Sequence, residues 1–156
     1  MKPELSETLY LHLISPSIIN MYDLFFKKLN ERITFSTEEQ EIIKEYLTPK
    51  KLRKKQYLLQ EGDVCKTIAF VAKGALREYT VDEKGTEHIF QFALEGWVIS
   101  DLYSFMTGEP ASYNIDALED SELVLISKSA QEEILKRVPK DTQLTQQPNK
   151  KLHIIL

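Results

Sequence analysis

The middle of the chain consists of short apolar runs separated by polar punctuation. Residues 67–72 (TIAFVA), 75–81 (ALREYTV) and 87–94 (EHIFQFAL) are rich in β-branched, aromatic and aliphatic side chains, which predicts strands. With the two-residue period of a strand, Tyr79 and Val81 share one face. Ile89, Gln91 and Ala93 share another, with Phe90, Phe92 and Leu94 opposite. Between the second and third runs, Asp82-Glu83-Lys84-Gly85 reads as a hairpin loop. A further pair is predicted at 112–118 and 122–126, divided by the charged turn Glu119-Asp120-Ser121. The five glycines, Gly62, Gly74, Gly85, Gly96 and Gly108, follow one another at gaps of 12, 11, 11 and 12 residues. Turn signals at that interval point to a sandwich or barrel of short antiparallel strands, with Gly62, Gly74 and Gly85 in turns.

A 3.6-residue period flanks this region. Ser36 with Glu39 forms a capping box, followed by Ile42, Ile43, Tyr46 and Leu47 on one face and Pro49 just beyond. From Met21 to Asn30, Leu24, Phe25, Lys28 and Leu29 fall at helical spacing, and Ser127 or Ser129 caps a helix running to Val138 before Pro139. These helices are expected on one end of the roll. The chain therefore divides into an N-terminal extension (1–20), a helical segment (21–51), the roll with its following helix (52–138) and a tail (139–156). Residues 140–151 (KDTQLTQQPNKK) hold one aliphatic residue, so the tail is expected to stay flexible; 152–156 are apolar but too short to fold alone.

Composition narrows the function. A chain of 156 residues with 42% hydrophobic content supports one domain. Twenty basic against 24 acidic residues give a net charge of -4, so no global positive field holds nucleic acid, and DNA binding by this chain alone is not expected. The single Cys65 excludes an internal disulfide or a multi-thiolate metal site and fits a cytoplasmic location. Residues 9–20 (LYLHLISPSIIN) are too short to span a membrane and contain Pro16, and the acidic Glu4 and Glu7 precede them, unlike a signal peptide. His12, His88 and His153 are dispersed, and no GxSxG elbow or GxxxxGK loop occurs, so nothing supports catalysis. Cys65 reads as a packing residue, and His88 as a strand residue beside a turn.

Several ordered motifs then go beyond composition. Tyr57-Leu58-Leu59-Gln60-Glu61-Gly62-Asp63, the run from Ile68 through Lys73-Gly74 to Arg77, the DEKGTE hairpin at 82–87, and Glu95-Gly96-Trp97-Val98-Ile99-Ser100-Asp101 resemble the cyclic-nucleotide-binding sensor domain of catabolite-activator and Fnr-type (Crp/Fnr) transcription regulators. The resemblance covers 52–138. It implies a mainly β fold with flanking α: an antiparallel jelly roll, or double-stranded β-helix, with N-terminal helices and a short C-terminal helix. It also implies a cyclic nucleotide as ligand. In that family a glycine-glutamate pair holds the ribose and an arginine neutralises the phosphate; the matching positions here are Ser100-Asp101 and Ala111-Ser112-Tyr113, so the arginine is absent. Residues 85–127 contain eight acidic residues and no lysine or arginine. The resemblance thus places a phosphate-hostile pocket, suited to a neutral, cationic or hydroxyl-bearing ligand. Ser100, Asp101 and Ser112 are its polar contacts, Phe90, Leu102 and Tyr113 its walls, and Gln91 and Ala111 complete the set. Ala111→Arg is expected to restore phosphate affinity. Asp101 reads equally as a helix cap, and Trp97 and Tyr103 as packing residues.

The resulting expectation is a non-enzymatic regulatory sensor domain with a degenerate phosphate site and no certain cofactor. The alternatives are a cupin-type jelly-roll enzyme, which needs clustered histidines around a metal, and a truncated regulator acting only through protein contacts. After Pro139 the sequence lacks the length of the family's dimer helix and helix-turn-helix. Partners are then a small-molecule ligand and a second copy or regulatory protein, met through Leu24, Phe25, Phe26 and Leu29. The native start is read as either Met1 or Met21.

Overall fold

A computed structural model of the chain describes residues 16–138. Residues 1–15 and 139–156 lie outside the described residues, and with them the expectation of a flexible tail. Helix α1 is Pro16–Asn30 and so begins before Met21; proline suits a first helical turn, whose N–H groups have no partner inside the helix. Helix α2, Thr37–Lys44, carries the expected capping box, with Ser36 Oγ accepting from Glu39 N (3.1 Å) and Glu39 Oε1 from Ser36 N (2.9 Å).

Eight strands follow: β1 Thr48–Leu52, β2 Tyr57–Leu59, β3 Thr67–Lys73, β4 Leu76–Val81, β5 Glu87–Ala93, β6 Val98–Ile99, β7 Asn114–Ala117 and β8 Ser121–Ser127. A short helix α3, Leu102–Thr107, lies between β6 and β7, and α4, Lys128–Arg137, follows β8. Ser127, not Ser129, caps α4 through Ala130 N. The strands form two antiparallel four-stranded sheets, ordered β1-β8-β3-β6 and β2-β7-β4-β5. This is the expected jelly roll.

The runs on β3 and β8 are nearly all apolar because their sheet is covered on both faces. Phe70, Ala72, Val124 and Ile126 pack with Met21, Phe25, Phe26, Ile43 and Ile134 of the helices. Ala69, Val71 and Leu123 pack inside the roll with Leu76, Ala93, Ile99 and Ile115. The helices therefore cover a sheet face rather than one end of the roll. That corrects the expected dimer surface too: Phe25, Phe26 and Leu29 are buried in this layer and unavailable to a second copy. A second correction concerns 48–51, the first four residues of β1, placed with the helical segment from sequence. Only Leu52 is buried in this lysine-rich strand, so no apolar alternation marks it, and backbone pairing with β8 defines it.

The five glycines all adopt positive φ. At Gly74 (φ +99°) a Cβ would lie 2.2 Å from Ser121 Oγ and 2.8 Å from the Asp120 carbonyl. At Gly85 (φ +82°) it would meet open space. Gly85→Ala is expected to cost about 1 kcal/mol through backbone strain alone. Gly74→Ala adds overpacking against the start of β8, for a total of about 3 kcal/mol. Urea unfolding of the two variants checks the difference, and equal midpoints would refute it.

Candidate functional site

The inner face of the β2-β7-β4-β5 sheet is apolar except at one register level. On β4, Leu76 and Glu78 alternate with Arg77 and Tyr79, and Glu78 faces Gln91 on β5 and Ile115 on β7. Glu78 is 1% exposed and accepts a 2.6 Å hydrogen bond from Gln91 Nε2. Burial pushes its carboxyl up to about 7; the Gln91 bond opposes the shift and the nearby Asp101 charge adds to it. Sequence reasoning missed Glu78, although a glutamate at the inward parity of an otherwise core-forming strand was a readable signal.

Asp101 caps α3 at the open end of this face. Its Oδ1 accepts from Ser104 N (3.1 Å) and its Oδ2 from Ser112 N (2.9 Å), and the residue is 4% exposed. One carboxylate thus ties the start of α3 to the segment leading into β7. Ser104, a second residue missed from sequence, is fully buried; its Oγ accepts from Cys65 N (2.8 Å) and donates to the Glu109 carbonyl (2.5 Å). Gly62 N donates to Ala111 O and Ala111 N to Asp63 O, so residues 100–112 are tied to the turn after β2 as well as to themselves.

The other sequence candidates divide into three groups. Gln91 reaches the inner face, and Phe90 and Tyr113 meet at its mouth with ring centroids 5.0 Å apart. Phe90 and Leu102 are largely exposed, so they form a rim rather than enclosing walls. Phe90 is turned there by a bulge, since Glu78 pairs with Gln91 while Tyr79 pairs with Ile89. Ser100 Oγ donates to the Thr67 carbonyl (3.2 Å) and lies 3.3 Å from Cys65 Sγ. It lines a separate cleft of ≈150 Å³ with Leu58, Val64, Lys66 and Thr67. Ser112 contributes its backbone N–H, while Ala111 lies in the roll core. Ala111→Arg would therefore introduce a guanidinium beside packed side chains of the roll, which costs stability unless the charge reaches water or an anion.

Charges on the outer face of the same sheet are mutually paired. Arg77 binds Asp116 through Nε (2.8 Å) and Nη2 (3.1 Å) and Glu87 through Nη1 (2.6 Å), and its guanidinium stacks 4.0 Å from the Tyr79 ring. His88 Nε2 lies 2.9 Å from Asp82 Oδ2 in the hairpin, as a strand residue beside a turn. Among the described residues no group of three or more His, Cys, Asp or Glu is placed to hold a metal ion. No helix among them is long and apolar enough to cross a membrane. Trp97 and Tyr103 are mostly exposed.

The profile of the cyclic nucleotide-binding domain family matches residues 49–138. Among solved structures the chain is similar to the sensor domain of the transcriptional regulator DNR from Pseudomonas aeruginosa, with 20% identity, a TM-score of 0.66, and coverage of 84% of this chain and 85% of that one. It is also similar to a cyclic nucleotide-binding domain from Methylobacillus flagellatus (18%, TM-score 0.68, 86% and 72% covered). A third similar structure is the catabolite activator protein of Thermus thermophilus (18%, TM-score 0.63, 82% and 54% covered). The chain spans about half the length of that activator. At these identities the likeness is one of fold. No curated protein matches by sequence.

Proposed function

The chain belongs to the cyclic nucleotide-binding domain family, and we propose that within it the chain is a non-catalytic regulatory sensor whose pocket takes a neutral or cationic, hydroxyl-bearing ligand in place of a cyclic phosphate. One observation carries the reading. The Asp101 carboxylate already occupies the backbone amides of Ser104 and Ser112, so the protein's own anion sits where a ligand anion would seek donors. The absence of any lysine or arginine from 85–127 leaves no side-chain cation in that segment to balance a phosphate. Glu78 and Gln91 supply a buried acceptor and amide suited to hydroxyl or ammonium groups. Signalling in this reading is a population shift of α3 and α4, read by another chain, with no DNA contact from this one.

Losing a charged contact to a buried phosphate costs about 2 to 5 kcal/mol, roughly thirty-fold to several thousand-fold in affinity. Isothermal titration with cyclic AMP and cyclic GMP is therefore expected to show no saturation at micromolar concentration. A sub-micromolar dissociation constant for either would overturn the reading. The catalytic alternative of a cupin-type metal enzyme lacks a histidine cluster among the described residues.

A further inference from the structure

Residues 50–55 (KKLRKK) carry five basic side chains in six positions, in a chain whose net charge is -4. Lys50 and Lys51 stand on β1, and Arg53, Lys54 and Lys55 on the turn after it. All five are exposed, as is Lys73 at the end of β3. Across the sheet, Lys51 on β1 and Lys73 on β3 flank Glu122 on β8, and Lys51 Nζ lies 3.6 Å from Glu122 Oε1. No other member of the cluster has an ion pair among the described residues. An open cleft of ≈420 Å³ adjoins this row and is lined by Arg53 and Gln56 of the turn.

The turn holds its cations outward on a fixed backbone. Gln56 N donates to the Arg53 carbonyl (3.0 Å), Arg53 N to Gln56 Oε1 (2.8 Å), Lys54 N to Asp120 Oδ1 (2.9 Å) and Lys55 N to the Ala117 carbonyl (2.7 Å). With four successive amides satisfied, side chains are the donors left for a partner. Lys55 sits at φ +72°, at the turn position where glycine or asparagine is the ordinary choice. A left-handed lysine persists only where its surroundings over-determine it, and such positions cluster at functional sites.

β1 ends its sheet, pairing only with β8 among the described residues. Lysine on a free edge ordinarily repels other strands. The same charge also selects: it rejects neutral and basic strands and admits an acidic one. A nucleic acid or an anionic bilayer would use the charge and leave the unpaired backbone of β1 idle, whereas an extended polypeptide uses both. We propose that the outer edge of β1 and the basic turn 53–56 form a docking surface for an extended acidic segment of a partner protein. The segment lies beside β1 and sets its carboxylates against Lys50, Arg53, Lys54 and Lys55, with Lys73 adding to the field. Pro49 offers no N–H, so the ladder starts at Lys50. None of these residues lines the candidate pocket, so the test needs no pocket ligand and its outcome is separate from that of the cyclic-nucleotide titration.

The full chain is titrated into a fluorescently labelled eight-residue peptide of alternating glutamate and threonine, read by anisotropy. Saturable binding is expected at about 50 mM salt, weakened roughly tenfold at about 300 mM. The variant Lys50→Gln/Arg53→Gln/Lys54→Gln is expected to bind about tenfold more weakly with an unchanged Tm. The fully N-methylated peptide, with the same charge and no backbone donors, should also lose roughly fivefold or more. No saturation with the unmodified chain, or equal affinity for the methylated peptide, would overturn the proposal. So would a triple variant that binds as tightly as the parent. Tighter binding of a single-stranded oligonucleotide or of phosphatidylserine vesicles at the same salt would assign the surface to another class of partner and likewise refute it.

Discussion

Glu78→Gln is expected to stabilise the protein by about 3 kcal/mol at pH 8, raising Tm by roughly 10 °C, while changing little below pH 4. The folded carboxyl holds its proton up to about pH 7, against an ordinary value of 4.5, because burial and the Asp101 charge penalise the anion by more than the Gln91 hydrogen bond favours it. Between those values the native state keeps a proton that the unfolded chain has released. Stability of the unmodified protein therefore falls as pH rises from 4.5 to 7, and the loss is complete above the folded value. Glutamine keeps the shape and can accept the Gln91 bond without ever charging, so its stability profile should be flat across this window. Thermal unfolding at pH 4, 6 and 8 measures the effect. Parallel profiles for the two proteins would show that Glu78 ionises in the fold at no cost. The same group makes the candidate pocket pH-responsive: the Glu78 charge is present above about pH 7 and lost below it.

What the sequence revealed follows from how local each determinant is. The glycine intervals, the capping box at Ser36 and the apolar runs on β3, β4 and β8 are set by neighbours within a dozen residues, and each lies where its pattern placed it. β1 was illegible because its identity comes from β8, about seventy residues away, while its own side chains apart from Leu52 are polar, proline or at least partly exposed. Phe25, Phe26 and Leu29 read as surface only while their covering partner was unknown; Phe70 and the rest of the β3–β8 face supply it. At the site, period-two parity put Phe90 and Gln91 on opposite faces and Gln91 with Ile89. The bulge opposite Glu78 breaks that parity, leaving Gln91 inward and Ile89 outward with Tyr79. A bulge is a pairing irregularity, and no single-strand periodicity carries it.

The role of Asp101 is decided by its removal. As a cap it accepts from one amide at the start of α3, and through its second oxygen from the Ser112 amide across the site. Losing a cap costs about 1 kcal/mol, and losing a buried charge-assisted hydrogen bond about 1.5 to 3 kcal/mol. Asp101→Ala is therefore expected to lower stability by about 3 kcal/mol in urea unfolding. Asparagine should fall between, since its amide offers one acceptor oxygen and turns a donor toward the second N–H. Truncation also frees the Ser104 and Ser112 amides and removes a negative charge from the mouth of the site. Inorganic phosphate at tens of millimolar should then raise the Tm of Asp101→Ala and leave that of the unmodified chain where it is. With the Asp101 charge gone, Glu78 should also titrate closer to an ordinary glutamate. An alanine variant as stable as the parent, or equally indifferent to phosphate, would mean that this carboxylate neither holds α3 in place nor keeps anions out.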